Sequence, residues 1–183
     1  MFEELLVRHC SPTLAGIKTG SMFTCPCADA EEIRLHLRRL NRILSKKGLR
    51  LLPLRFQKQR ALVYVYRSSQ LSNDLQKCTA CGILRQCGYR AGTPETCLKH
   101  LIRRMNTCDE FPHEIGLFLG YPPDDVRGFI ENNAKNCKYT GCWKVYGNVS
   151  DAQRLFAKYK QCTDMYCMLL AQGMSVERLT AAG

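Results

Sequence analysis

The stretch from Asp29 to Tyr66 constrains the fold more than any other part of this chain. Ile33, Leu37, Leu40 and Leu44 recur at helical spacing. Asp29 stands where an N-cap belongs, with Glu32 three residues on in a capping-box pattern, and Gly48 supplies a C-terminal stop. Leu49 to Phe56 then predicts a strand with Leu52, Leu54 and Phe56 on one side. Pro53 has no N–H to donate, so that strand is expected at a sheet edge or with a bulge. A polar turn, Gln57-Lys58-Gln59-Arg60, leads into Ala61 to Tyr66, whose β-branched and aromatic residues make a second strand. Helix, strand and strand in immediate succession point to an α+β fold, a small and mainly antiparallel sheet packed by helices.

The remaining sequence fits that class. The chain has 183 residues, 45% of them hydrophobic, enough for a core and too many for general disorder. Residues 9–23 carry Pro12, Gly16, Gly20 and several hydroxyls, and read as an ordered loop with one helical turn. Ser68 to Lys77 is expected to be helical, 78–93 a loop or broken helix, and Glu95 to Met105 a helix led by Pro94. Residues 111–130 read as two short helices joined by Gly120-Tyr121-Pro122. Pro112 and Pro123 stand at first helical positions, and Asp124 and Asp125 at the positive end of the second helix. Cys142 to Tyr146 predicts a short strand. Ser150 with Gln153 repeats the capping-box pattern, and Leu155, Phe156, Tyr159, Cys162, Tyr166 and Leu170 line a long helix ending near Gly173. No repeat or Pro/Ser linker interrupts the chain, and residues 1–183 are expected to form a single domain.

Charge is unevenly placed. The formal net charge is +11, and between Ile33 and Asn73 there are eleven Lys or Arg and no Asp or Glu. Arg34, Arg38, Arg42 and Lys46 fall opposite the apolar stripe of the 33–44 helix. The residue 33–60 segment is therefore a candidate surface for nucleic acid or an acidic protein partner, set against the plainer reading of a solvated helix face. Tyr64 and Tyr66 alternate with valines and could offer a stacking platform for single strands, or pack under a covering helix. No stretch approaches the ~18 consecutive apolar residues of a membrane span. The start, Met1-Phe2-Glu3-Glu4-Leu5-Leu6-Val7-Arg8, lacks the character of a secretion signal, so a cytoplasmic location is expected.

Three segments resemble an uncharacterised family of small proteins from anaerobic bacteria, known only as a domain of unknown function. They are His9-Cys10-Ser11-Pro12-Thr13-Leu14-Ala15-Gly16-Ile17-Lys18, the run from Phe111 to Ile130, and Gly141-Cys142-Trp143-Lys144-Val145-Tyr146-Gly147. Lys160-Gln161-Cys162-Thr163 is similar to a later motif, and the likeness is weakest around 78–97. Family members keep genomic company with flavodoxin and iron-uptake genes. The resemblance thus implies a redox or iron-related accessory role, without a reaction.

The residues themselves suggest three kinds of chemistry. Twelve cysteines in a reducing cytosol are not by default a disulfide framework, and thiolates are ligands for zinc or an iron–sulfur cluster. Cys78 and Cys81 have the spacing of a ligand pair, and Cys137 and Cys142 flank a turn that could converge two thiols. Cys162 and Cys167 point about 140° apart on a helix and cannot share an ion. Cys10 is a second candidate, a thiol in an expected loop beside His9 with Lys18 nearby. A cation lowers a thiol's pKa, and His113 and Glu114 could serve as base and orienter. The alternative is a buried structural thiol. Third, Pro123 to Ile130 has the look of a second helix in a helix-turn-helix, but its leading aspartates would repel phosphate. No GxxxxGK loop, GxGxxG turn, nucleophile elbow or HExxH is present, which argues against the common nucleotide, hydrolase and zinc-protease activities. The sequence therefore supports a ligand-binding or redox-related protein with a site around Cys10, a basic interaction module, or a thiol-dependent enzyme.

Overall fold

Three strands, β1 (Gly20–Pro26), β2 (Leu49–Gln57) and β3 (Arg60–Arg67), form an antiparallel sheet in the order β1-β3-β2. The computed structural model describes residues 1–90, 92–108 and 110–183. The chain divides into two compact units, Met1–Gln70 with Tyr159–Gly183, and Leu71–Lys158. The architecture is α+β.

The sheet belongs to the first unit. Phe23, Cys25, Leu49, Leu51, Ala61, Val63 and Val65 share a core with Leu6, Val7, Cys10 and Leu14 of α1 (Phe2–Leu14) and Leu37 and Leu44 of α2 (Ala30–Leu44). Asp29 caps α2 through its side chain, which accepts from the Glu31 N–H, and Gly48 ends the following 3-10 turn in the left-handed region at φ 75°. Both features were legible as stop and start signals. β2 is an edge strand, and its pairing to β3 slips between Pro53 and Arg55. The slip changes which side chains face inward: Leu49 and Leu51 are buried before it and Leu54 at it, while Leu52 and Phe56 are only half-buried. A strict alternation through Leu52, Leu54 and Phe56 therefore fails, because one extra residue resets the period of two.

Residues 9–23 are the largest departure from expectation. They supply the end of α1 and most of β1. Pro12 removes only one N–H from the helical ladder, and the buried stripe Leu6, Cys10 and Leu14 keeps the helix intact around it. Ile17 and Lys18 both donate their N–H to the Pro12 carbonyl, closing the turn beyond the helix. Arg67, at the end of β3, is buried and ties three segments of this unit together. Its Nε donates to the Thr13 carbonyl at 2.9 Å, one terminal nitrogen to Lys47 and Ala181 carbonyls at 2.8 and 2.9 Å, and the other to the Leu14 carbonyl. Two of these carbonyls lie in the last turn of α1, outside its intrahelical ladder, where a cation also meets the negative end of the helix.

The second unit is mainly helical. It contains most of α3 (Ser68–Gln76), then α4 (Cys78–Gln86), α5 (Pro94–Thr107), α6 (Ile115–Phe118) and α7 (Pro123–Glu131), and a hairpin of β4 (Tyr139–Thr140) and β5 (Lys144–Val145). The start of α8 (Val149–Ala171) completes it, and α9 (Val176–Leu179) lies in the first unit. The 78–93 stretch contains a full helix where a loop or broken helix was expected, since Ala80, Ile83 and Leu84 give it a buried face. Ala91 of that stretch lies outside the described residues. Pro112 precedes α6 by three residues and does not start it, whereas Pro123 does start α7. Asn148 accepts from the Asp151 N–H and takes the capping role expected of Ser150. Among the described residues no helix is long and apolar enough to cross a membrane.

Candidate functional site

The expected Cys10 site is taken apart by the helix that carries it. On an α-helix neighbours diverge by about 100°, so His9 faces solvent while Cys10 is 0% exposed in the core. Burial pushes the Cys10 thiol far above its ordinary pKa, against the opposing pull of Lys18. Lys18 is itself half-buried, with its amine 3.4 Å from the Ser21 hydroxyl. Cys10 is therefore a protonated core side chain, because the positive group nearby cannot repay the loss of water. Glu114 and His113 belong to the other unit. Glu114 is 2% exposed, ion-paired with Arg104 at 2.8 Å, and accepts from the Tyr89 hydroxyl at 3.0 Å. It holds the turn before α6 in place and does not orient His113.

The expected metal donors do not assemble. Cys78 is exposed at the start of α4, and Cys81 is half-buried with its thiol donating to the Leu75 carbonyl at 3.1 Å. Cys137 lies 3.4 Å from the Thr140 hydroxyl, and Cys142 is exposed within the β4–β5 turn. Among the described residues no three of His, Cys, Asp and Glu are grouped so as to hold an ion. A zinc or iron–sulfur centre does not fit this donor set. None of the twelve cysteines is in a disulfide.

On α2 the basic residues separate into two kinds. Arg38, Arg39 and Arg42 are exposed, as is Lys46 in the 3-10 turn that follows the helix. Arg34 is half-buried, pairs with Glu31, and lies over the Phe56 ring at 4.9 Å, so it belongs to the packing of α2 on β2. Tyr64 and Tyr66 stack at 4.9 Å but are 0% and 9% exposed, which removes them as a platform for bases.

The residues that do converge lie in the second unit. A cleft of about 280 Å³ opens between the turn before α6, α7 and the β4–β5 hairpin. Its aromatic walls are Phe111, His113, Tyr121, Phe129 and Trp143. Tyr121 stacks on Trp143 at 4.7 Å, and His113 meets the edge of Phe129 at 5.1 Å. Behind them Asp125, 3% exposed, fixes the hairpin to α7. One carboxylate oxygen accepts from the Tyr146 and Gly147 N–H groups at 2.8 and 2.7 Å, and the other from the Trp143 indole N–H at 2.7 Å. The approach needs Gly128, since a Cβ there would run into the Tyr146 ring. Lys144 lines the rim, but its amine donates to the Ala134 carbonyl at 2.6 Å and is not poised as a nucleophile.

Of the residues singled out from the sequence, His113 and Cys142 both line this cleft. Tyr121, Asp125, Phe129 and Trp143 were not recognised as site residues. The usable signal was the chain's only Trp, standing in a Gly-Cys-Trp-Lys turn. Asp125 was masked by its position, because an aspartate in a first helical turn reads as a dipole partner. The cleft is apolar with few convergent polar groups, the usual form of a small-molecule site.

A family model described as "Protein of unknown function (DUF3793)" matches residues 6–180. No curated protein and no solved structure matches the chain.

Proposed function

We propose that this chain, which belongs to the DUF3793 family, binds a small, largely apolar, ring-bearing molecule in the cleft between α6, α7 and the β4–β5 hairpin. The observation that carries the reading is the Asp125 anchor. Its carboxylate accepts three hydrogen bonds that fix Trp143 and the backbone at Tyr146 and Gly147, and Tyr121 stacks on the indole held there. A wall set in advance spares a ligand the cost of ordering it. The segments that carry the family resemblance, 111–130 and 141–147, are the ones that face each other here. Among the described residues no ligand set supports a redox or iron-related role, and the Cys10 thiol is buried where a thiol-dependent enzyme would expose it, so binding is the function put forward. Twelve cysteines, three of them exposed, suit the reducing cytosol, where we place the protein.

Trp143 is the only Trp, so its emission reports on this cleft alone. Titration with indole, flavin mononucleotide and anilinonaphthalene sulfonate should quench or shift that emission saturably for at least one probe. Phe129→Ala should weaken the effect about five- to tenfold. Phe111→Ala, at a position 44% exposed, should weaken it without touching the fold. Emission unmoved by all three probes, or moved equally in both variants, would sink the proposal.

A second reading rests on α2. Leu35 and Ile43 are 49% and 42% exposed among Arg38, Arg39, Arg42 and Lys46. An apolar pair within a positive helix face suits an acidic protein partner better than a purely solvated role. Nucleic acid is the other polyanion this face could meet.

A further inference from the structure

We infer that an open cleft along α5, walled by Arg90, Lys99, His100 and Arg103, binds a phosphate group, free or esterified. This lies beyond the aromatic cleft and does not depend on it. The cleft measures about 760 Å³ and is completed by Gly88, Tyr89, Thr96 and Cys97. Among the described residues no Asp or Glu lines it.

The cations are concentrated at a cost to the helix. Lys99 and Arg103 are four apart on α5 and so share a face, where like charges repel. Arg90 joins them from the segment before α5, and all three are exposed into water. A dianion in the cleft removes this repulsion and gains charge-assisted hydrogen bonds, which a guanidinium can make in pairs.

His100 makes the site more than a basic patch. Its Nδ1 lies 3.1 Å from an Arg103 terminal nitrogen, and since a guanidinium only donates, Nδ1 is the acceptor. The ring lies against Tyr89 at 4.1 Å. It is therefore held neutral, with its remaining proton on Nε2. Its surroundings agree: burial lowers the imidazole pKa, Arg103 and Arg104 lower it further, and only Glu114 opposes them. The other groups around it are Lys99 on α5 and Tyr89 and Arg90 from the segment before it.

The sign of the pH effect follows. The empty site disfavours imidazolium. A bound anion favours it, so binding takes up a proton. Affinity then rises as pH falls toward the range where the empty imidazole titrates itself.

Sulfate is the probe for this, because its charge stays constant through about pH 5 to 8 while His100 titrates. Sulfate titrated into the folded chain should move the His100 ring resonance saturably and leave His9, His36 and His113 in place. Affinity should rise as pH falls, and His100→Gln should bind without that dependence. Lys99→Gln with Arg103→Gln, both surface positions, should weaken binding about tenfold or more, while Arg154→Gln should not. Inorganic phosphate and phenyl phosphate distinguish the sources: tighter binding of the ester assigns an esterified ligand, and equal binding assigns free phosphate. The inference is overturned if sulfate shifts all four histidines alike, if the double variant binds as the parent does, or if affinity ignores pH.

Discussion

Asp125 shows how much one side chain can decide. Its carboxylate satisfies two backbone N–H groups and an indole N–H, all buried or half-buried, and so joins α7 to the hairpin. Removing it leaves three donors without an acceptor, and hydrogen bonds to a charged group are worth more than neutral ones. Asp125→Ala should cost about 2–4 kcal/mol of stability. Asp125→Asn keeps one oxygen for the backbone pair and turns an amide toward the indole, so it should cost less. Denaturant unfolding followed by Trp143 emission will rank the two, and equal losses would mean that the backbone pair contributes little beside the indole contact. Cys10 makes the opposite point. A residue with attractive neighbours in sequence became a core atom, because the helix turned His9 away from it.

At the scale of elements, α2 combines a buried stripe with an exposed basic one, and the two can be altered separately. Arg34 packs on Phe56, so it is a poor position to reverse. Arg38, Arg39 and Arg42 are exposed. Changing these three to Glu should leave the circular dichroism spectrum unchanged and abolish binding to an acidic protein or a single-stranded oligonucleotide. In the parent protein that binding should fall steeply with added salt, since the counterions released on contact drive it. Binding that survives both salt and charge reversal would remove α2 from consideration as an interface. The bulge in β2 belongs to this scale too. It keeps a Pro within the strand by moving the ladder past it, at an edge of the sheet where a missing N–H is tolerated.

For the whole molecule, the twelve thiols grade the structure from surface to core. Cys78, Cys108 and Cys142 are exposed, and Cys10, Cys25, Cys27 and Cys97 are buried. Burial raises the thiol pKa at Cys10, Cys25 and Cys97, which slows alkylation beyond the effect of access alone. Iodoacetamide under native conditions, read by peptide mass spectrometry, should label the three exposed cysteines first. Cys10 should react only when the protein unfolds. Early labelling of Cys10 would contradict its place in the core.

The sequence by itself determined those elements whose signals are local. The α2 stripe, its Asp29 cap, the Gly48 stop, the β3 strand and the proline starts of α5 and α7 each follow from residues within one or two turns of each other. So does the α+β class, because a helix running straight into a hairpin has few ways to bury both. Tertiary structure decided the rest. Pro12 and the nearby glycines signalled a loop, and only burial of Leu6, Cys10 and Leu14 against the sheet shows why a helix survives there. Local spacing could not place Asp125 under Trp143, 18 residues away, or Glu114 beside Arg104 and Tyr89. A site is a convergence of side chains from distant segments, and single-residue spacing carries no record of which segments meet. What the sequence did hold was the set of residues able to do chemistry; packing chose His113, Cys142 and Trp143 for one cleft and put Cys10 out of reach of water.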